Sequence, residues 1–129
     1  MPHAETPVGR LGARSIDCPK PAELADFYCR LLGMRRLVET PDGGVVAITD
    51  GAHILAMMRA DDYVAPTWPE AGQHQQMHLD VSVTDLEDAV AKAQDLGARQ
   101  AGHQAQPALW RVMLDPAGHP LCLTKVGAD

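Results

Sequence analysis

Two stretches of this sequence follow one plan: PAELADFYCRLLG at residues 21–33 and TDLEDAVAKAQDLG at residues 84–97. In both, apolar side chains recur at the spacing of an amphipathic helix, and a glycine closes the run. Gly33 and Gly97 are the expected helix stops, and Thr84 with Glu87 has the spacing of a capping box. The sequence therefore predicts two helices of one design.

The segments around the helices repeat as well, because each helix is preceded by one strand-like segment and followed by three. The segments are LGARSIDC (11–18), MRRLVET (34–40), VVAIT (45–49) and AHILAMMR (52–59) in the first half, and QMHLDVSV (76–83), ARQAGH (98–103), LWRVML (109–114) and PLCLTK (120–125) in the second. One βαβββ unit has too small a core to be stable alone. We therefore predict an α+β fold of two tandem βαβββ modules, whose curved sheets pair around a cavity.

This plan gives the domain organisation. We expect a flexible N-terminus at residues 1–10, a first module at 11–59, a proline-rich linker at 60–74 and a second module at 75–125. With 129 residues, the chain has the length of a single domain.

Composition narrows the class of function. The net charge of −6 argues against nucleic acid and anionic membranes as partners. No run approaches the roughly 18 apolar residues of a membrane span, and the N-terminus lacks the apolar core of a signal peptide. The three cysteines are an odd number without close pairing, which fits a reducing compartment. We expect a cytoplasmic protein.

Strand alternation sorts the candidate site residues. His78 and Asp80 share one face of their segment, and Ala13 and Ser15 fall at matching places in the first half. Superposing the halves by their helix-ending Leu-Gly pairs sets Ala13 near His78, and superposing their last strands sets Ala56 on Cys122. The equivalent positions are Ala13, Ala56, His78 and Cys122.

With these positions in place, the sequence resembles a known family. FYCRLLGM, HLDVSVTDLEDAV and DPAGHPLCL are similar to segments of the vicinal oxygen chelate superfamily, which contains glyoxalase I, bleomycin-resistance proteins and extradiol dioxygenases. PTWP, QQMHLDV and WRVMLDPAGHPLCL resemble more closely the glyoxalase-like domain proteins. The resemblance covers roughly residues 11–125 and implies the vicinal oxygen chelate fold.

The resemblance also bears on cofactor and assembly. Its metal-dependent members hold a divalent ion with His or Glu at the equivalent positions, where this chain matches only at His78. Ala13 and Ala56 supply no ligand atom, and Cys122 replaces a glutamate, so we expect no metal cofactor. A divalent metal bound by His78, Asp80 and Cys122 is left open. Small members commonly pair, which implies a homodimer.

The function that follows is the binding of a small organic ligand without a catalytic metal, such as sequestration of a drug or metabolite. The expected pocket residues combine apolar walls with a few polar anchors. They are Ala13, Ser15, Met57, Tyr63, Trp68, His78, Asp80, Trp110 and Cys122.

Two alternatives stay open. One is a lyase or isomerase of the glyoxalase type that acts through His78 and Asp80, with or without a divalent metal. Cys122 is a candidate nucleophile in such an enzyme, although a small buried residue is the simpler interpretation of it. The other is a structural or partner-binding domain whose cavity is filled by its own side chains.

Overall fold

A computed structural model describes residues 6–7, 9–70 and 77–125. It contains two βαβββ modules. The first consists of β1 (Arg14–Cys18), α1 (Pro21–Leu32), β2 (Arg35–Glu39), β3 (Val45–Thr49) and β4 (Ile54–Arg59). The second consists of β5 (Leu79–Ser82), α2 (Leu86–Asp95), β6 (Arg99–Gln100), β7 (Trp110–Leu114) and β8 (Pro120–Thr124). The predicted α+β fold is confirmed.

Each module forms its own four-stranded sheet, in the order β1-β4-β3-β2 and β5-β8-β7-β6. The first strand of each module pairs in parallel with the last, and the remaining pairs are antiparallel. Ser15 lies opposite Ala56 in the first sheet, and Asp80 lies opposite Cys122 in the second. The two registers agree with the equivalence between halves that the sequence suggests.

Helix α1 forms because its apolar side chains line one face. Leu24, Phe27 and Tyr28 are buried on that face, which packs against β3 and β4. The helix ends at Gly33, whose positive φ of 69° is a conformation that glycine adopts without steric cost.

Helix α2 follows the same plan, but the predicted capping box is wrong. The N-cap is Asp85, whose side chain accepts a hydrogen bond from the Asp88 backbone N–H, so the cap lies one residue after Thr84. Thr and Asp both favour this position, and the backbone geometry selected the second of the two adjacent candidates.

The helices cover one face of each sheet, and the main hydrophobic core runs through both modules. It includes residues of α1, β3, β4, α2, β7 and β8: Leu24, Tyr28, Val46, Ile48, Met57, Leu86, Val90, Met113, Leu121 and Leu123. The modules therefore bury apolar surface against each other, as expected if one βαβββ unit has too small a core to be stable alone.

Polar contacts in the described part of the chain join the modules. The Tyr28 hydroxyl donates a hydrogen bond of 2.6 Å to Oδ2 of Asp115, in the turn between β7 and β8. His119 Nε2 lies 2.6 Å from the Asp17 carbonyl oxygen at the end of β1. Asp115 is 1% exposed, so this ionisable side chain is buried where the modules meet.

Some predicted segments differ from the structure or lie outside it. The segment 98–103 forms only the two-residue strand β6, and the Gln104 side chain bonds both the N–H and the C=O of Val112 beyond that strand's end. Most of the N-terminus expected to be flexible (1–5 and 8), part of the linker (71–74) and the first residues of the second module (75–76) fall outside the described residues. No helix in the described ranges has the length and apolar character needed to cross a membrane.

Candidate functional site

A group of three polar side chains lies on the second sheet, on the face away from α2. We call this face of either sheet its distal face. His78 directly precedes β5, Asp80 lies in β5, and Cys122 lies opposite Asp80 in β8. Each residue offers one possible metal-ligand atom, and these atoms lie within 4.8 Å of one another. The structure thus brings together three residues that the sequence had singled out.

His78 is held by two contacts. Its Nε2 lies 3.1 Å from Asp80 Oδ1, and its ring stacks on Trp68 with 5.1 Å between ring centroids and 18° between planes. Since a carboxylate oxygen only accepts hydrogen bonds, Nε2 carries the proton. In the neutral imidazole, Nδ1 then keeps a lone pair. Nδ1 is buried and has no hydrogen-bond partner among the residues that the structure describes.

Cys122 is a poor nucleophile in this setting. Burial, with a smaller contribution from the Asp80 charge, raises the pKa of Cys122 to about 11. The thiol is therefore protonated near neutral pH, and the reactive thiolate is scarce. Cys122 is also 5% exposed. The interpretation as a small buried residue fits these observations better than catalysis does.

Apolar side chains surround the polar group. Ala101, Val112 and Cys122 form a buried cluster on the distal face, and Trp68, Trp110 and Leu114 pack against it. Trp110 lies opposite Thr124 and Leu114 lies opposite Pro120, so they flank the row that contains Val112 and Cys122. Both tryptophans of the chain therefore adjoin the cluster.

The first module has no such group at the matching place. The strand registers align Ser15, Ala56, Ala47 and Val38 across its sheet, where the second module has Asp80, Cys122, Val112 and Ala101. Its row offers a single hydroxyl, that of Ser15. Of the two aligned rows, the one in the second module holds the acid and the thiol.

These observations can be set beside known proteins. A family model for the glyoxalase-like domain matches residues 13–124. The chain belongs to this glyoxalase-like family. The family lies within the vicinal oxygen chelate superfamily, as the sequence motifs indicated.

Solved structures of this superfamily share the fold. TioX from Micromonospora sp. ML1 is 20% identical, with 91% of this chain and 98% of that chain covered and a TM-score of 0.59. A glyoxalase family protein from Enterococcus faecalis is 21% identical, with 91% of this chain and 98% of that chain covered and a TM-score of 0.62. The fosfomycin resistance protein FosX from Mesorhizobium loti is 12% identical, covers 92% of both chains and gives 0.65. No curated protein sequence matches significantly.

The metal site of metal-dependent relatives does not fit this glyoxalase-like chain. Ala13 and Ala56 have no ligand atoms, so the first module contributes nothing at its two equivalent positions. By residue type and distance, His78, Asp80 and Cys122 could hold an ion within the second module. That set differs from the family's in using Asp80 and a cysteine thiol.

Four expected pocket residues lie elsewhere. Met57 is fully buried in the main core, because strand alternation turns it away from the distal face that holds Ala56. Tyr63 lies 5.5 Å from the His119 ring, beside the contact between modules. Ala13, just before β1, and Ser15, within β1, are exposed. The structure thus groups Trp68, Trp110 and the three polar residues, and separates the others from them.

Sequence reasoning missed a cleft between the modules. It has a volume of about 430 Å³, and among the expected pocket residues it includes only Asp80. Its lining combines apolar side chains of both modules with Arg14 and the Asp50–His53 pair. No local pattern marks these residues, because they come from separate segments that meet only in the folded chain.

Proposed function

We propose that this glyoxalase-like protein binds a small organic molecule at the distal face of its second module, and that it does so without a catalytic metal. The observation that carries the proposal is the buried Nδ1 of His78, which has no partner among the described residues. Buried polar atoms are normally hydrogen-bonded, so an unsatisfied one beside apolar side chains points to a ligand.

The surroundings of His78 support this proposal. Small-molecule sites usually combine apolar and aromatic walls with a few fixed polar groups. Here Trp68 and Trp110 supply aromatic surface, while His78 and Asp80 supply the polar groups. Sequestration of a drug or metabolite would need only binding at such a surface.

The residues available as metal ligands support binding without a catalytic metal. A catalytic zinc site ordinarily has three protein ligands, and this chain has lost both ligand positions of the first module. Binding therefore depends on the organic contacts.

A second candidate is a lyase or isomerase reaction, favoured by the contact between His78 and Asp80. A carboxylate that accepts from one ring nitrogen fixes the tautomer and leaves the other nitrogen as a base. Nδ1 of His78 could then take a proton from a carbon next to a carbonyl group. This candidate predicts turnover that His78→Ala abolishes.

Intrinsic fluorescence tests binding directly, because the only two tryptophans of the chain both adjoin the proposed site. We expect saturable quenching by members of a panel of small phenyl-bearing alcohols, amines and acids. Trp68→Phe and Trp110→Phe, measured singly, assign the signal. Failure of every member to change the fluorescence or the melting temperature would overturn the proposal.

Metal content tests the metal-free part. Tag-free protein is incubated with Zn, Ni, Mn or Fe(II), desalted and analysed for each metal. We expect no retention. Near-stoichiometric retention that His78→Ala abolishes would show that this part is wrong.

We also propose a cytoplasmic location and a homodimer. Cys18, Cys29 and Cys122 are free thiols, as a reducing compartment favours. Leu37 and Val38 of the edge strand β2 are 49% and 53% exposed, and they offer apolar surface for a partner copy. Sedimentation of the wild type and of Val38→Lys tests the pairing, with a monomeric wild type as the contrary result.

A further inference from the structure

We infer that the ligand presents a positively charged hydrogen-bond donor, such as a protonated amine or amidine, attached to an apolar body. This inference rests on the proposed function and names the chemical class of ligand for the same site. It follows from the polarity of the groups that await a partner.

The first of these groups is His78 Nδ1. With Nε2 donating to Asp80, the neutral ring presents a lone pair at Nδ1, so the missing partner must be a donor. The stack on Trp68 limits rotation of the ring, and only 12% of the side chain is exposed. An N–H or O–H of the ligand would satisfy Nδ1, whereas a carboxylate would not.

The second group is Asp80. Its side chain is 65% exposed, and its ion-pair contact in the described ranges is with His78. One of its oxygens faces Nε2, so the carboxylate has further capacity to accept. No Lys or Arg lies in the row of Asp80, Cys122, Val112 and Ala101.

Together, His78 Nδ1 and Asp80 favour a positively charged ligand. A cationic donor meets the Nδ1 lone pair and also carries a charge that the neighbouring Asp80 carboxylate attracts, whereas a neutral alcohol satisfies Nδ1 alone. A ligand carboxylate would meet the Asp80 charge directly, and the two arginines of this region, Arg14 in the cleft that includes Asp80 and Arg99 opposite Leu114, lie outside that row. The apolar part of the ligand is left to the tryptophans and Leu114.

Three matched compounds test the expected preference for a cation over an alcohol and over a carboxylate. They are 4-phenylbutylamine, 4-phenylbutan-1-ol and 4-phenylbutyrate. They share an apolar body and differ in charge, and they can be titrated against tryptophan emission excited at the red edge of the indole band. We expect the amine to bind at least about tenfold more tightly than the acid, in line with the strength of hydrogen bonds between charged groups, with the alcohol between them.

Variants locate the preference. Asp80→Asn should reduce the ratio of amine to acid affinity to within about threefold, since it keeps the shape and removes the charge. Asp95→Asn changes the net charge equally from the exposed end of α2 and should leave the ratio unchanged. His78→Phe keeps a ring on Trp68 without the acceptor, and should weaken binding of both the amine and the alcohol.

The outcomes separate this inference from the proposal beneath it. If none of the three compounds binds, the proposed function itself fails. If all bind equally or the acid binds best, the protein binds small molecules but the inferred charge is wrong. An amine preference that survives Asp80→Asn would likewise overturn the inference.

Discussion

The two modules share topology and strand register, yet their distal faces differ in chemistry. In the first, Ser15, Ala56, Ala47 and Val38 form a row with a single hydroxyl. In the second, the matching row begins with Asp80 and Cys122, and His78 adjoins it. A repeated backbone therefore supplies two equivalent platforms, and the cluster of an imidazole, a carboxylate and a thiol forms on the second.

The turns before the last strands show the same divergence. Asp50 and Asp115 each accept two backbone N–H groups through Oδ1. The other oxygen of Asp50 contacts His53 at the surface, whereas that of Asp115 accepts from Tyr28 of the first module. Thus one local turn design became a surface feature in one module and the buried join between modules in the other.

The largest expected loss of stability comes from removing Asp115, and it tests the difference between the turns of Asp50 and Asp115. Asp115→Ala leaves the buried Tyr28 hydroxyl and two backbone N–H groups without their acceptor, so we expect a loss of about 3 kcal/mol in the free energy of unfolding. Asp50→Ala should cost clearly less, because water can replace its exposed carboxylate. Urea unfolding curves measure both. Equal losses would contradict the different roles of the two turns.

Removing the indole that stacks on His78 should have the next largest effect. Trp68→Ala takes aromatic surface from the cluster around Cys122, and we expect a loss of about 2 kcal/mol. Alkylation of Cys122 by iodoacetamide should become faster, while Cys18 in the first module stays protected. Unchanged Cys122 alkylation would show that Trp68 does not cover this face.

The stability at alkaline pH tests the role of Cys122, which holds the position that Ala56 holds in the first module. The folded-state pKa of Cys122, about 11, exceeds the usual thiol value. This group therefore contributes stability below its unfolded pKa, and the contribution is lost as pH rises through the folded value. Between about pH 8 and about pH 10, wild type should lose about 1 kcal/mol more than Cys122→Ala.

The reciprocal variant is the control for that experiment. Ala56→Cys places a thiol at the equivalent position, opposite Ser15 where the second module has an acid. Its added alkaline sensitivity should be smaller, since no Asp80 equivalent disfavours the thiolate. Identical pH profiles of wild type and Cys122→Ala would show that the Cys122 thiol does not couple to folding.

The smallest expected effect concerns the helix starts. Asp85→Ala removes the side-chain cap of α2 and should cost about 1 kcal/mol, while Thr84→Ala should change stability by only a few tenths. The N-cap of α1 is Lys20, which makes no side-chain cap bond, so Lys20→Ala should be near neutral. Urea unfolding of the three variants ranks their losses of stability. A larger loss for Thr84→Ala than for Asp85→Ala would show that Thr84 caps the helix, as the capping-box prediction had it.

Much of the fold was predictable from local pattern. The helical stripes and closing glycines located α1 and α2, and the repeated order of segments gave the two modules. Superposing the last strands of the halves matched Ala56 with Cys122, and strand alternation, applied one residue further, would have excluded Met57 from the pocket. The linker has no period, so Tyr63 and Trp68 could not be assigned to different parts of the molecule.

By itself, then, the sequence determined the number of elements, their order and which residues share a face, because helix and strand periods are properties of adjacent residues. Only the tertiary structure decided that Tyr28 meets Asp115, 87 residues away, and that His78 lies under Trp68 with one nitrogen unsatisfied. Such contacts depend on how whole faces meet and what they exclude from water. Burial then turns ordinary histidine, aspartate and cysteine side chains into a candidate binding site.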